Sequence, residues 1–268
     1  DLTGATLEGV HLEGTNLHGA ALLGADLRKS NLTGVDLSGA NLAGADLRNK
    51  NLTGIDMTVA NLTEANLRNA NLEDVYLTAA NLSYANLSGA NLTNANLTGA
   101  NLTGVSLTDA SLTDADLTDA DLTDANLSDA SLSDANLTGA RLSAANLMGA
   151  TLSDRDLRSS NLTGAKLSGA DLKGVNLTGL DLTSMDLTDV NLSGADLTRV
   201  CAIDTDLSRA NLSNANLFSV NLSNANLSGT ILIDTDLFGA NLTNANLTDA
   251  NLSNTDLSDV NLTGAVFS

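Results

Sequence analysis

A period of five residues runs through the whole chain and limits its possible folds more than any other feature. Counted from Leu2, there are 54 positions of the form 5n+2, and 51 of them are leucine; Met57, Ala202 and Phe267 are the exceptions. Two residues earlier the side chain is small, with alanine at 32 of 53 such positions, and the residue between is Asn or Asp in 41 of 54 units. Thr or Ser usually follows the leucine, then Gly, Asp or Asn, so Ala95-Asn96-Leu97-Thr98-Gly99 shows the unit in pure form. Short repeats of this kind decide the architecture before any local propensity does.

A five-residue period fits neither a helix, with 3.6 residues per turn, nor a continuous strand, so the chain must bend once per unit. Within a unit the small residue and the leucine are two apart. That spacing puts both on one side of a short extended stretch and turns the Asn or Asp to the other side. The polar residues after the leucine suit a corner. Repetition then closes a coil with Ala and Leu inside, which is a solenoid. Departures from the consensus recur every 20 residues: Val35, Ile55 and Val75; Leu180, Val200 and Val220; Arg28, Arg48 and Arg68; Phe218 and Phe238. Four units per coil follow, and Asn41, Asn61, Asn81 and Asn101 should stack as an amide ladder.

Composition narrows the function. With 43% hydrophobic residues the chain is not disordered, and with 2% aromatics and no proline or tryptophan its core must be aliphatic. Twelve Lys and Arg against 32 Asp and Glu give a net charge of -20, which argues against nucleic acid or an anionic membrane as a direct partner. Cys201 is the only cysteine, so neither an intrachain disulfide nor a cysteine-rich zinc site can form. No 18-residue apolar run and no signal-peptide pattern occur, so no membrane span is expected, and the compartment stays open with the cytoplasm favoured. Asp1 is already in phase with the repeat, as expected of a processed chain or an excised domain.

These units resemble the pentapeptide repeat family over residues 1–268, without a phase break. The resemblance implies an all-β fold, a right-handed quadrilateral parallel β-helix, as a single domain spanning 1–268. At 20 residues per coil this is about 13 coils, and at about 4.8 Å per coil a rod on the order of 60 to 65 Å long. The best-known relatives look like acidic, duplex-shaped rods that occupy the DNA-binding saddle of DNA gyrase and related type II topoisomerases. A protein partner with a basic surface, such as DNA gyrase, is therefore implied, with this chain as a DNA mimic. DNA carries about one charge per 1.7 Å, so about 64 Å of duplex holds about 38 charges. This chain has 20 net. It is longer than the typical relatives that confer quinolone resistance and lacks the projecting loops of some of them. Relatives also dimerise through their C-terminal coils, so a homodimer is implied. The alternative is a structural spacer or self-assembling rod with no topoisomerase target.

Candidate sites come from departures and clusters. Between Arg68 and Arg141 there is no Lys, Arg or His, while Asp109, Asp114, Asp116, Asp119, Asp121, Asp124, Asp129 and Asp134 crowd together. With a 20-residue coil Asp109 stacks on Asp129 and Asp114 on Asp134, which makes this acidic surface the candidate partner-binding region. Phe218, Ile231, Ile233, Phe238 and Val266 sit at nominally outward positions and form the candidate self-association surface. Arg28, Arg48 and Arg68 make a basic column with Glu8 next in line. Thr58, Thr78, Thr98, Thr118 and Thr138 form another column, similar to an ice-binding face but equally suited to any exposed strand surface.

Catalysis is poorly supplied. The two histidines, His11 and His18, fall on different sides of the first coil, and a filled solenoid leaves no cleft for a nucleophile, so no enzyme activity, no metal and no cofactor are expected. Lys50 and Arg155 occupy inward positions, where an unpaired buried charge is costly, and are expected to escape through a corner rather than bulge the backbone. Ala202 replaces a core leucine, with Ile203 expected to fill part of the gap through a local shift. The many Asn-Leu-Thr and Asn-Leu-Ser triplets are the repeat itself and carry no glycosylation signal.

Overall fold

The protein is described here by a computed structural model covering residues 1–7, 9–27 and 29–267. It divides into two compact units, Asp1–Asn146 and Leu147–Ser268. Among the described residues there is no α-helix. Each unit is built from single parallel β-bridges at the 5n+1 residue, and every bridge joins a residue to the one 20 further on. In the first unit Asn41 pairs with Asn61, Asn61 with Asn81 and Asn81 with Asn101; in the second, Asn191 pairs with Asn211, Asn211 with Ile231 and Ile231 with Asn251. Four pentapeptides thus close one turn, as the 20-residue recurrences predict.

The unit around Asn96 shows why this sequence coils. The Asn96 amide donates to the Val75 carbonyl of the preceding coil at 2.9 Å, and Leu97 and Gly99 donate to Asp116 and Thr118 of the next at 2.7 and 2.8 Å. The Ala100 amide turns back to the Leu97 carbonyl at 2.9 Å, closing a β-turn over Thr98 and Gly99. The remaining amide, that of Thr98, donates to Oδ1 of Asn96 at 3.1 Å. All five backbone donors are thereby matched within two neighbouring coils and one side chain, as a closely packed backbone requires.

That last bond corrects the expected orientation of the Asn/Asp position. The side chain does not simply face solvent. It folds along the wall to accept from the amide two residues on, and often from that residue's hydroxyl as well, as Asn91 does from Thr93 at 3.1 and 2.6 Å. This is an Asx-turn, open to Asn and Asp and closed to most other side chains. The amide ladder adds to it: Asn61 Nδ2 donates to Asn41 Oδ1 at 3.1 Å and Asn91 Nδ2 to Asn71 Oδ1 at 2.9 Å. Threonine hydroxyls are drawn into the same network. In the Thr58–Thr138 column, Thr98 and Thr118 donate their hydroxyls to Asp116 at 3.3 and 2.6 Å, and Thr138 to Asn136 at 2.7 Å.

The corner residue is the 5n+4 position, and its φ is positive at every described case except Lys29 and Ser159. A positive φ confined to the third residue of the turn marks type II geometry, which favours Gly and then Asn. All 22 glycines fall here, and most of the other occupants are Asp or Asn. The two exceptions each precede a serine, Ser30 and Ser160, and serine appears at the inward position nowhere else. The Ser30 hydroxyl donates to the Leu27 carbonyl at 2.7 Å.

Lys50 uses that irregularity. It is only 8% exposed, and Nζ donates to the Ser30 carbonyl one coil back at 2.5 Å. Its own coil stays in register, with the Asn71 amide on the Lys50 carbonyl at 2.7 Å. Lys50 therefore does not escape through a corner: it stays in the wall, and the departure from the regular turn lies one coil away. Burial pushes its amine below the ordinary lysine range, and the charge of Asp26 opposes the shift. Arg155 is half-buried, with Nε donating to the Ser153 carbonyl at 2.9 Å.

Leucines line both interiors, with Leu97, Leu117, Leu192 and Leu217 all at 0% exposure. Ala202 is buried too, but Ile203 does not move in to compensate. Ala202 donates to Asn221 at 2.8 Å and Ser184 to the Ile203 carbonyl at 2.8 Å, both in unbroken register, and Ile203 sits half-buried on the turn. Threonine at an inward position is accommodated by bonding its hydroxyl to a leucine carbonyl one coil back: Thr205 to Leu182 at 2.9 Å and Thr230 to Leu207 at 3.0 Å. A hydroxyl satisfied in this way can be buried at little cost.

Candidate protein-binding surface

The acidic segment divides according to the backbone. Asp109, Asp114, Asp119, Asp124, Asp129 and Asp134 all occupy left-handed corners, with φ of 57 or 58°, and all six are exposed. Aspartate is among the few side chains that enter this region readily, so the turn selects the residue and the exposure follows. The 20-residue register stacks Asp109 on Asp129 and Asp114 on Asp134, as expected. It also spreads the six over all four sides of the coil. Asp124 stands at the corner of the side begun by Asp121, Asp109 and Asp129 at the next, Asp114 and Asp134 at the third, and Asp119 at the fourth.

Asp116 and Asp121 belong to a different class. Both are half-buried at bridge positions. Asp116 Oδ1 accepts from the Thr118 amide and hydroxyl at 3.0 and 2.6 Å, and Oδ2 from the Thr98 hydroxyl at 3.3 Å. Partial burial raises its pKa, but these donors and Asn136 outweigh burial and hold the carboxyl below the usual range. Asp121 is held the same way: burial raises its pKa, and the Thr123 hydroxyl and amide with the Arg141 charge lower it further than burial lifts it. Arg141 Nη2 stands 3.1 Å from Asp121 Oδ2. The sequence grouped these two with the corner aspartates, whereas the structure places them in the wall.

For some corner carboxylates, glycine in the adjoining coil makes the room. Asp119 Oδ1 lies over Gly139, where any Cβ would collide with it. In the second unit Asp154 lies over Gly174 in the same way. The sequence signal is an acidic corner followed 20 residues later by glycine, and it is readable only once the register is known.

The apolar candidates do not converge on one face. Phe218 and Phe238 stack, with ring centroids 5.9 Å apart and planes 9° from parallel, and Phe238 is 50% exposed. Ile231 and Ile233 lie on the adjacent side, the first exposed and the second half-buried, and Val266 is exposed on the side opposite the phenylalanines.

The basic column is partly neutralised. Arg48 forks onto Asp46, with Nε to Oδ1 at 2.9 Å and Nη2 to Oδ2 at 2.7 Å, while Arg28 and Glu8 lie outside the described residues. His18 Nδ1 sits 2.9 Å from Ser38 Oγ, and His11 bridges to Asn31 on another side. Among the described residues no three His, Cys, Asp or Glu are placed to hold a metal ion, and no helix is long and apolar enough to cross a membrane.

The pentapeptide repeats family model matches residues 1–34, 36–74, 76–114, 165–201, 195–232 and 230–268, and a second model, for a pentapeptide repeat region, matches 105–182. The chain belongs to the pentapeptide repeat family. Members of this family fold as right-handed β-helices, which gives the parallel ladders described above their hand. Among solved structures it is similar to HetL of the cyanobacterium Nostoc sp. strain PCC 7120, a protein involved in heterocyst differentiation regulation. Identity is 36% over 85% of this chain and 89% of that one, with a TM-score of 0.37. QnrB1, a plasmid-mediated fluoroquinolone resistance protein, is 20% identical over 85% of this chain and 89% of its own, with a TM-score of 0.40. A pentapeptide repeat protein of the Arabidopsis thaliana thylakoid lumen is 32% identical over 48% of this chain and 69% of its own, with a TM-score of 0.18. No curated protein matches the chain.

Proposed function

We propose that this protein is a non-catalytic binding module of about 13 four-sided coils whose acidic corners engage a protein with a basic, DNA-binding surface. The observation that carries this reading is the ring of six exposed corner carboxylates over residues 109–134, in a stretch from Arg68 to Arg141 with no intervening base. Charge presented on every side of a coil is how a duplex presents its phosphates, and a basic saddle would recognise it by long-range attraction. The family resemblance makes a type II topoisomerase such as DNA gyrase the first partner to try, and such a partner would place the protein in the cytoplasm.

A supercoiling titration with gyrase at two salt concentrations, with an unrelated acidic protein as control, tests this. Inhibition above the control that fades with salt is the expected result. Absence of inhibition with protein in large excess over enzyme sinks gyrase as the target. The stacked Phe218–Phe238 pair, with Phe238 exposed, favours a second reading, self-association through the C-terminal coils as a homodimer. Sedimentation across a range of protein concentrations checks it, and a constant monomer mass rejects it.

A further inference from the structure

Residues 210–268 contain no Lys, Arg or His, and the Phe pair lies within them. Phe218 and Phe238 are consecutive members of one column, so the near-parallel stack covers one face of the Phe238 ring. The other face is turned away from Phe218, on the side of the coil that carries Asp256, Ser258 and Asp259. Ser258 is the next residue of the column, 20 after Phe238, and is too small to cover a phenyl ring. Asp256 bridges to Asp236, and its Oδ1 accepts from the Ser258 amide at 2.8 Å, which fixes that carboxylate beside the column. Asp259 follows at the left-handed corner, with φ of 59°, and is exposed. An aromatic face thus borders a small residue flanked by two carboxylates.

We propose that the free face of Phe238, with the Asp256 and Asp259 carboxylates, receives an arginine side chain of a basic protein segment. This rests on the proposed basic partner and adds a second contact to it, remote in sequence from the acidic corners of residues 109–134. A guanidinium is attracted by the face of an aromatic ring and pairs bidentately with carboxylates, and both groups are present here without a base of the same stretch to compete. A second copy of this chain is the poorer occupant, because the same acidic rim on both copies would set like charges against each other.

The test uses the full chain and nona-arginine, with 4-fluorophenylalanine in place of its three phenylalanines, each reporting separately by fluorine NMR. The Phe238 signal, assigned by its loss in Phe238→Leu, should move on titration while that of Phe267 does not. In unlabelled protein Phe238→Leu should bind the peptide about two- to fivefold more weakly, and Asp256→Asn with Asp259→Asn should weaken it further and flatten its salt dependence. Phe238 is outside the core, so the leucine variant keeps the fold, and circular dichroism checks this. If nona-arginine binds Phe238→Leu and the natural chain equally, this inference falls while the acidic-corner reading stands. If the natural chain does not bind the peptide at all, both fall. A dimer that dissociates in Phe238→Leu also overturns the proposal, by giving the face to a second copy.

Discussion

The ring of Tyr84 lies across the Cα of Gly104 one coil later: a Cβ built on Gly104 would stand 2.6 Å from Tyr84 Cδ1 and Cε1. Gly104 also has φ of +63°, so the position disfavours a side chain twice, by backbone and by neighbour. Gly104→Ala should lose about 1–2 kcal/mol for the left-handed corner alone, and more if the ring cannot swing outward. In a Tyr84→Ala background only the backbone part should remain. Urea denaturation of the four proteins of this cycle measures the difference, and equal losses in both backgrounds would show that the ring gives way freely.

Thr205 is fully buried, and its hydroxyl gives the Leu182 carbonyl a second donor beside the Met185 amide at 3.1 Å. Thr205→Val keeps the shape and removes the bond, so a loss of about 0.5–1.5 kcal/mol is expected. Thr205→Ala should cost more, because it also leaves space in the coil. A valine variant as stable as the natural chain would mean that the carbonyl is content with one donor.

Asp116 and Asp121 both hold carboxyl pKa values below the ordinary 3.8. Between those folded values and 3.8 the unfolded chain binds more protons than the folded one, so stability falls as pH falls through that window and is fully present above it. Asparagine is the commonest residue at these positions and keeps the Asx-turn. Asp116→Asn with Asp121→Asn should therefore fold normally at neutral pH and lose less melting temperature than the natural chain on acidification below about pH 4. Parallel acid titrations would refute this assignment.

Lys50 shifts in the opposite sense for its charge type. Its folded amine releases a proton more readily than the ordinary value of 10.5, so between the two values the unfolded chain holds more protons and stability rises with pH. Thermal melts from about pH 8 to 10 should show the natural chain gaining on Lys50→Met, which has no proton to lose. Curves that stay parallel would mean that the Ser30 carbonyl fully compensates the buried charge.

Much of this molecule was legible from Leu2 to Leu262 as a line of text. The five-residue phase implied one bend per unit, the recurrence of Phe218 and Phe238 gave the 20-residue register, and that register alone paired Asp109 with Asp129. What the line could not separate were two roles for aspartate. Asp114 and Asp116 are two residues apart and chemically identical, yet one faces solvent at a left-handed corner and the other folds back onto the Thr118 amide. Nor could it place Lys50, whose carbonyl partner is 20 residues away in a turn that departs from the rule. Periodicity reports which side chains must be apolar, because burial acts on every unit alike. Which polar group meets which donor depends on the backbone dihedrals of each corner and on the adjacent coil, and only the folded chain brings those together.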